Sequence, residues 1–348
     1  MDYQFKHLFT PFRIGNVEIK NRMVFQPHVP YFASMDGYPT EATKRYYLER
    51  AKGGTGLIII ESMMVHPTGL YAPGCICLWK IGIVDAFKDF PERIHQYGAK
   101  VFGQLSHCGP NTVQKPAQLP YAPSAISHPG YRTVPKELEK DEIQEIVKGF
   151  GQGALRLKEA GFDGVELKFA HDGLLKAFAS PLLNHRTDEY GGSYENRLRF
   201  FEELYAEIRK CVGDDFPIGV RLCIDEFVEG GITQELGVRL AKSLEQIGVD
   251  YINGDSGSSG DASMQIFPMC VPLGAGVYLA SAVKKAVKIP VIAFGRVNDP
   301  VLMEMILAEG HADLVGSARQ FICDPETANK AKEGRLEEVR HCIACNDG

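Results

Sequence analysis

Short apolar, β-branched runs alternate along the chain with longer stretches in which apolar positions recur at helical spacing. The runs Met23–Phe25, Leu57–Ile60, Lys100–Leu105, Gly164–Lys168, Ile218–Leu222, Tyr251–Asn253, Val291–Ala293 and Leu314–Gly316 predict strands. The stretches Thr40–Lys52, Asp141–Ala160, Asn196–Val212, Thr233–Ile247, Leu279–Val287 and Asp299–Glu309 predict helices, and Thr233 and Asp299 suit the caps of theirs. Junctions such as Ala160-Gly161-Phe162-Asp163 and Ile247-Gly248-Val249-Asp250 read as a helix stopped by glycine before a turn into a buried strand. Eight strands in this alternation predict an α/β chain folded as a closed (β/α)8 TIM barrel. No Gly-x-Gly-x-x-Gly follows the first strand, where an open dinucleotide-binding sheet would carry it.

Such a barrel takes ~250 residues, and this chain has 348. The surplus falls in two places. Phe12–Ile19 reads as an N-terminal hairpin turning at Gly15-Asn16, a cap for the closed end of the barrel. Ser106–Pro135, rich in Pro, Ser, His and Gly, is a long loop after strand 3 and belongs to the catalytic mouth as a lid or substrate wall.

A net charge of −6 argues against nucleic acid or a membrane surface as partner. The longest apolar run is too short to span a bilayer, and the first residues lack the apolar stretch of a secretory leader. Nine cysteines, an odd and dilute set, fit the reduced thiols of a cytoplasmic chain better than a disulfide scaffold.

Barrel chemistry sits at the C-terminal ends of the strands. That rule selects Gln26, Pro27 and His28, then Glu61 and Ser62, Gln104 and His107, Lys168 and His171, Arg221, Asp255, Gly295 and Arg296, and Ala318 and Arg319. The last four follow strands 7 and 8, where barrels often hold a phosphate; pairing with surface carboxylates would also account for the arginines. Gln104 and Arg221 are polar inside apolar strands. A buried arginine needs an anionic or electron-rich neighbour, either a ligand or a structural acid such as Asp225 or Glu166. Lys168 could donate to a substrate oxygen, move a proton, or pair with Glu166, which alternation puts on its side of the strand. A Lys168 Schiff base in a non-flavin lyase or aldolase is a further reading. His171 alone reads as a loop histidine. Cys342-Ile343-Ala344-Cys345 is a redox pair, half a zinc site or half an iron–sulfur site.

The run Phe178-Ala179-Ser180-Pro181-Leu182-Leu183-Asn184-His185-Arg186-Thr187-Asp188-Glu189-Tyr190-Gly191-Gly192-Ser193-Tyr194-Glu195-Asn196-Arg197 is close to a family signature. With Lys20-Asn21-Arg22-Met23-Val24 and Ile289-Pro290-Val291-Ile292-Ala293-Phe294-Gly295-Arg296, it resembles the flavin barrel of the old yellow enzyme family. The likeness is strongest to the branch holding 2,4-dienoyl-CoA reductase, trimethylamine dehydrogenase and enoate reductases, and runs from His7 to Cys345. It implies FMN at the barrel mouth and NAD(P)H as reductant. Pro27 and His28 would flank the flavin, Ser62 would touch its polar edge, and Gln104 would bond its pyrimidine end. Arg221 would face the N1–C2 carbonyl region and favour the reduced anion. Gly295, Ala318 and Arg319 would hold the phosphate, while Tyr31, Lys168 and His171 reach the substrate.

The same likeness divides the chain into an FMN barrel over 1–340 and the beginning of a [4Fe–4S] motif over 341–348. Cys342 and Cys345 match the first two ligands, and the cluster and an FAD domain belong to longer members. Relatives often form dimers or larger assemblies, so a homo-oligomer is compatible with it. Two departures stand out. The usual pair after strand 4 is His with His or Asn, and here it is Lys168 with His171. Many relatives carry a proton-donating Tyr two residues later, and here that position is Gly173. Lys168, His171, Tyr31 or a water would replace that donor, or the reaction needs none. The implied activity is reduction of an activated C=C bond (enoyl-CoA, enoate or enone) by hydride from flavin N5. The alternatives are an FMN-dependent amine dehydrogenase or N-demethylase, and a non-catalytic flavin-binding module.

Overall fold

Eight parallel strands close in chain order into a barrel in the computed structural model, which describes residues 5–112, 119–127 and 133–347. They are β1 (Met23–Phe25), β2 (Leu57–Met64), β3 (Lys100–Ser106), β4 (Gly164–Phe169), β5 (Ile218–Cys223), β6 (Tyr251–Asp255), β7 (Val291–Ala293) and β8 (Leu314–Ser317). β8 pairs with β1 and closes the ring. β2 runs on past the predicted Ile60 because its register shifts between Ile60 and Ser62. The bulge turns Glu61 out of step, so the alternation that marks a strand in sequence breaks there while the pairing continues.

The predicted helices pack around the ring. Glu41–Lys52, Tyr194–Val212, Gln234–Ile247 and Pro300–Ala308 begin at Thr40, Ser193, Thr233 and Asp299, whose side-chain oxygens each accept a backbone N–H. Lys140–Glu159 is the longest, and it buries Ile143, Val147, Phe150 and Leu157 on one face. The stretch read as Leu279–Val287 is a helix over Val277–Lys284. Its end comes early because Ala286 and Val287 both donate back to the Val283 carbonyl and turn the chain into β7. No pattern in the sequence marks the short helix Leu174–Ala179, which is separated from β4 by four residues.

The hairpin sits where composition placed it. Phe12–Ile14 pairs with Val17–Ile19 around Gly15-Asn16, and Gly15 takes the left-handed φ of 54° that such a turn requires. Its Ile14 and Ile19 pack on Val24, Leu57, Ile59, Phe102, Tyr251, Ile292 and Leu314, all fully buried. Each aliphatic side chain removed from water there contributes about 1.5–3 kcal/mol. The N-terminal end of the barrel is thereby a filled plug. In the long loop after β3, Tyr121–Ala122 pairs with Lys136–Glu137. Residues 113–118 and 128–132 of the expected lid lie outside the described residues. Among the described residues no helix is long and apolar enough to cross a membrane.

Candidate functional site

At the C-terminal end of the strands lies a cavity of about 320 Å³. Its wall brings together Pro27 and His28 after β1, His171 after β4, Arg221 and Asp255 on β5 and β6, Gly295 and Arg296 after β7, and Ala318 and Arg319 after β8. Phe267 and Phe294 supply apolar surface, and Cys342 closes one edge. Tyr31, Ser62, Gln104, Lys168 and Cys345, also selected from the sequence, are not on this wall.

Ser62 and Gln104 belong to a polar layer inside the barrel. Ser62 Oγ donates to Gln104 Oε1, and Gln104 Nε2 donates to Glu166 Oε1 at 2.8 Å. Asn253 Nδ2 and Tyr251 OH donate to Glu166 Oε2 at 2.9 and 3.1 Å, and Gln26 Nε2 donates to Asn253 Oδ1 at 2.8 Å. Burial pushes the Glu166 carboxyl up, opposed by Arg221 and these three donors. Glu166 is therefore spoken for, and it pairs with neither Lys168 nor Arg221, contrary to two structural readings of the sequence.

Arg221 pairs instead with Asp255. Its Nε lies 2.9 Å from Asp255 Oδ2, and one terminal N–H donates to the Pro27 carbonyl at 3.0 Å. Register explains the choice. Arg221 stands opposite Asn253, so Asp255, two residues on, shares its inward face. The other expected partner, Asp225, is engaged by the N–H groups of Phe227 and Gln234. Burial alone would raise the Asp255 carboxyl, but Arg221 and His171 outweigh it and hold it well below the usual range. His171 Nε2 lies 2.8 Å from the same Oδ2, off the line of a good hydrogen bond. Burial lowers the His171 pKa, Asp255 opposes this, and Arg221 and Lys168 add to the lowering, so the ring is neutral near pH 7. His28 bonds through Nε2 to Tyr46 OH at 2.5 Å, and burial pushes its pKa down to about 4.

At the other end of the cavity two guanidiniums have no carboxylate among the described residues. Arg319 donates to the Phe267 carbonyl at 2.8 Å and to Asn346 Oδ1, while Arg296 donates to the carbonyls of Met269 and Val271. Burial and the like charge of Arg296 depress Arg319. Gly295, directly before Arg296 in the chain, has φ 94°, and a Cβ there would stand 2.4 Å from the Gly276 nitrogen.

Lys168, the last residue but one of β4, is half-buried, with no hydrogen bond or ion pair among the described residues. Its charge is felt at His171 and at the buried thiol of Cys108. Tyr31 is half-exposed and stacks on Tyr71 with ring centres 6.2 Å apart. Burial and Tyr71 both raise its phenol, which keeps its proton at neutral pH. Tyr31, His171, Asp172, Phe227 and Arg296 all have left-handed φ between 49° and 58°. Each follows the C-terminal end of a strand, and such strain in non-glycine residues gathers where function dictates geometry.

All nine cysteines are free thiols. Cys342 is half-buried and Cys345 exposed, and among the described residues no group of three or more His, Cys, Asp or Glu is placed to hold a metal ion. Sequence reasoning missed Tyr46, Tyr251 and Asn253, although Asn253 ends a predicted strand and faces inward like Gln104. It also missed Lys176, a lysine inside an otherwise apolar helix.

Residues 7–338 match the NADH:flavin oxidoreductase / NADH oxidase family. A protein named NADH oxidase from Thermoanaerobacter brockii is 42% identical over 99% of this chain and 53% of its own length. Cinnamate reductase from Clostridium sporogenes is 38% identical over 100% of this chain and 56% of its own length. Among solved structures, 2-naphthoyl-CoA reductase superposes with a TM-score of 0.94 at 32% identity, covering 99% of this chain and 55% of that one. Histamine dehydrogenase from Rhizobium sp. 4-9 gives 0.88 at 30% identity, with 98% and 50% covered. The chain thus spans about half the length of the curated relatives it matches.

Proposed function

Since this chain belongs to the NADH:flavin oxidoreductase / NADH oxidase family, we propose that its barrel mouth binds FMN and reduces an activated C=C bond conjugated to a carbonyl or carboxylate. The residues present fit the cofactor. Arg296 and Arg319, lacking carboxylate partners, suit a phosphate beside Gly295 and Ala318, where the backbone can come close. Phe267 and Phe294 offer apolar surface to a flat ring. Pro27, His28 and Arg221 line its polar end, with Ser62 and the second amide N–H of Gln104 behind them. When bound, FMN supplies a two-electron carrier between NAD(P)H and the acceptor.

The chain's own groups do the rest. Arg221, held by Asp255 and the Pro27 carbonyl, places fixed positive charge where negative charge grows on reduction. Lys168 donates to the acceptor's oxygen, and the neutral His171 ring stands beside it as a second polar contact. Tyr31 keeps a proton that it can give to the α-carbon, since Gly173 has no side chain to do so.

The observation that carries this reading is the charge at the mouth. Among the lining residues Asp255 alone is acidic, against Arg221, Arg296 and Arg319, and Lys168, which has no ion pair among the described residues, adds its charge at His171. That field attracts an enoate or polarises an enone, and it repels a cationic amine. Amine oxidation is the second reading, favoured by Gly173 and by the likeness to histamine dehydrogenase. Cys342 and Cys345 would give two of the four thiolates that a [4Fe–4S] cluster takes. The test begins with the visible spectrum of the purified protein. Reduced protein is then mixed anaerobically with enoates, enoyl-CoAs and enones, and oxidised protein with methylated amines. Reoxidation by a C=C acceptor supports the proposal; bleaching by an amine with no C=C turnover replaces it with the second reading. A colourless protein that takes up no FMN overturns both.

A further inference from the structure

Behind the mouth, three ionised side chains that no step above uses are fully buried together. Lys176 Nζ lies between Asp172 Oδ1 and Glu226 Oε1, the latter at 2.5 Å, and all three side chains are 0% exposed. Burying such ions costs more in lost hydration than mutual attraction usually returns, and apolar side chains would fill the space as well. The arrangement therefore needs a reason beyond packing.

The remaining contacts show what it ties together. Asp172 Oδ2 accepts from the Ser259 N–H at 2.5 Å, so both oxygens of that carboxylate are committed. Glu226 Oε2 accepts from Ser180 Oγ at 2.8 Å and from the Ile232 N–H at 2.5 Å. Asp172, Lys176 and Ser180 follow β4, Glu226 and Ile232 follow β5, and Ser259 follows β6. Burial would lower the Lys176 pKa, but Asp172 and Glu226 more than reverse this, and the ammonium stays charged throughout the working pH range. The ties are permanent.

Their effect falls on His171. It and Asp172 are two successive left-handed residues, φ 49° and 56°, a conformation that L side chains hold only when surroundings over-determine it. Locking the Asp172 carboxylate does this, and the result is an imidazole delivered to within 2.8 Å of Asp255. We infer that Lys176, Asp172 and Glu226 form a buried clamp that positions His171 for the substrate. Lys176 and Glu226 are positioning residues. They act through Asp172 and touch neither cofactor nor substrate. The inference rests on the reading of His171 as a substrate-side group.

The test is Glu226→Gln in the FMN-loaded protein, with Ser180→Ala as a milder variant should the first fail to fold. Glu226→Gln keeps the shape of the side chain and leaves the Lys176–Asp172 ion pair buried; flavin content is expected to hold, while the loss of one buried partner lowers the melting temperature. The affinity for cinnamate, read from the perturbed flavin absorbance, weakens roughly tenfold, as expected when a contact group shifts by a fraction of an ångström. In a His171→Ala background the same substitution changes affinity less than twofold, because its route of action is gone. Equal losses in both backgrounds, or none in either, overturn the clamp. If no C=C acceptor binds at all, the proposed function fails separately. The clamp is then judged by the NMR shifts of the His171 ring, which Glu226→Gln moves if it positions that ring and leaves unmoved if it does not.

Discussion

Lys168→Met separates a substrate contact from a structural one. Methionine keeps most of the stem and removes the charge. The folded protein loses no hydrogen bond or ion pair among the described residues, so its stability should change by no more than about 0.5 kcal/mol. The substrate loses more. A charge-assisted bond to a carboxylate contributes about 1.5–3 kcal/mol, equivalent to roughly 10–150-fold in kcat/KM at 1.4 kcal/mol per decade. A bond to a neutral carbonyl contributes about 0.5–1.5 kcal/mol, or roughly 2–12-fold. The assay is anaerobic steady-state reduction of cinnamate and of the matched neutral phenyl enone, with flavin content and a thermal melt as controls. The variant should penalise the acid about tenfold more than the ketone. Because Lys168 is one of the charges lowering His171, its removal should also move any acidic limb of the pH profile upward. Identical losses on both acceptors would refute the assignment, as would a large drop in melting temperature.

Three further outcomes follow from the same geometry. Arg319→Met should weaken FMN binding by roughly 10–100-fold while leaving riboflavin binding unchanged, if the proposed contact to phosphate is the one lost; equilibrium dialysis with both flavins checks it. Gly295→Ala forces a Cβ to 2.4 Å from the Gly276 nitrogen at φ 94°, and should cost about 1–3 kcal/mol in urea unfolding together with flavin loss. An unchanged urea midpoint would contradict the close approach. Burial pushes the Glu61 carboxyl up to about 8 from 4.5. The acid is neutral in the fold yet ionises once unfolded, so it lowers stability increasingly as pH rises from 4.5 to about 8. Glu61→Gln should therefore stabilise the protein by ~1–3 kcal/mol at pH 7 and by nothing near pH 4. A destabilised variant at pH 7 would show that the carboxyl is ionised and paired.

The barrel was legible because its signals are local. β1 and β7 have the bounds that the apolar runs predict, Gly15-Asn16 makes the hairpin turn, and Ser193, Thr233 and Asp299 cap the helices they precede. The rule that chemistry sits at strand ends then found ten of the 24 residues on the cavity wall, all of its charged ones among them. It did not find partners. Arg221 meets Asp255 through the stagger of β5 against β6, which no spacing within either strand encodes. Nor did it give depth. Gln104 faces inward as expected but lies one layer inside, in the Glu166 network rather than on the wall. Lys176 was hidden for a different reason, since a lysine in a short helix looks like a solvated face until two carboxylates from elsewhere in the loops are seen around it.

The plug formed by Ile14 and Ile19 has a consequence for traffic. With the base stoppered by aliphatic side chains, the cavity among the described residues opens at the rim, so on the proposed function reductant and acceptor would share that doorway and each would exclude the other. On that proposal turnover would alternate, one visitor leaving before the other arrives, and a tightly held product would shield the reduced ring from air.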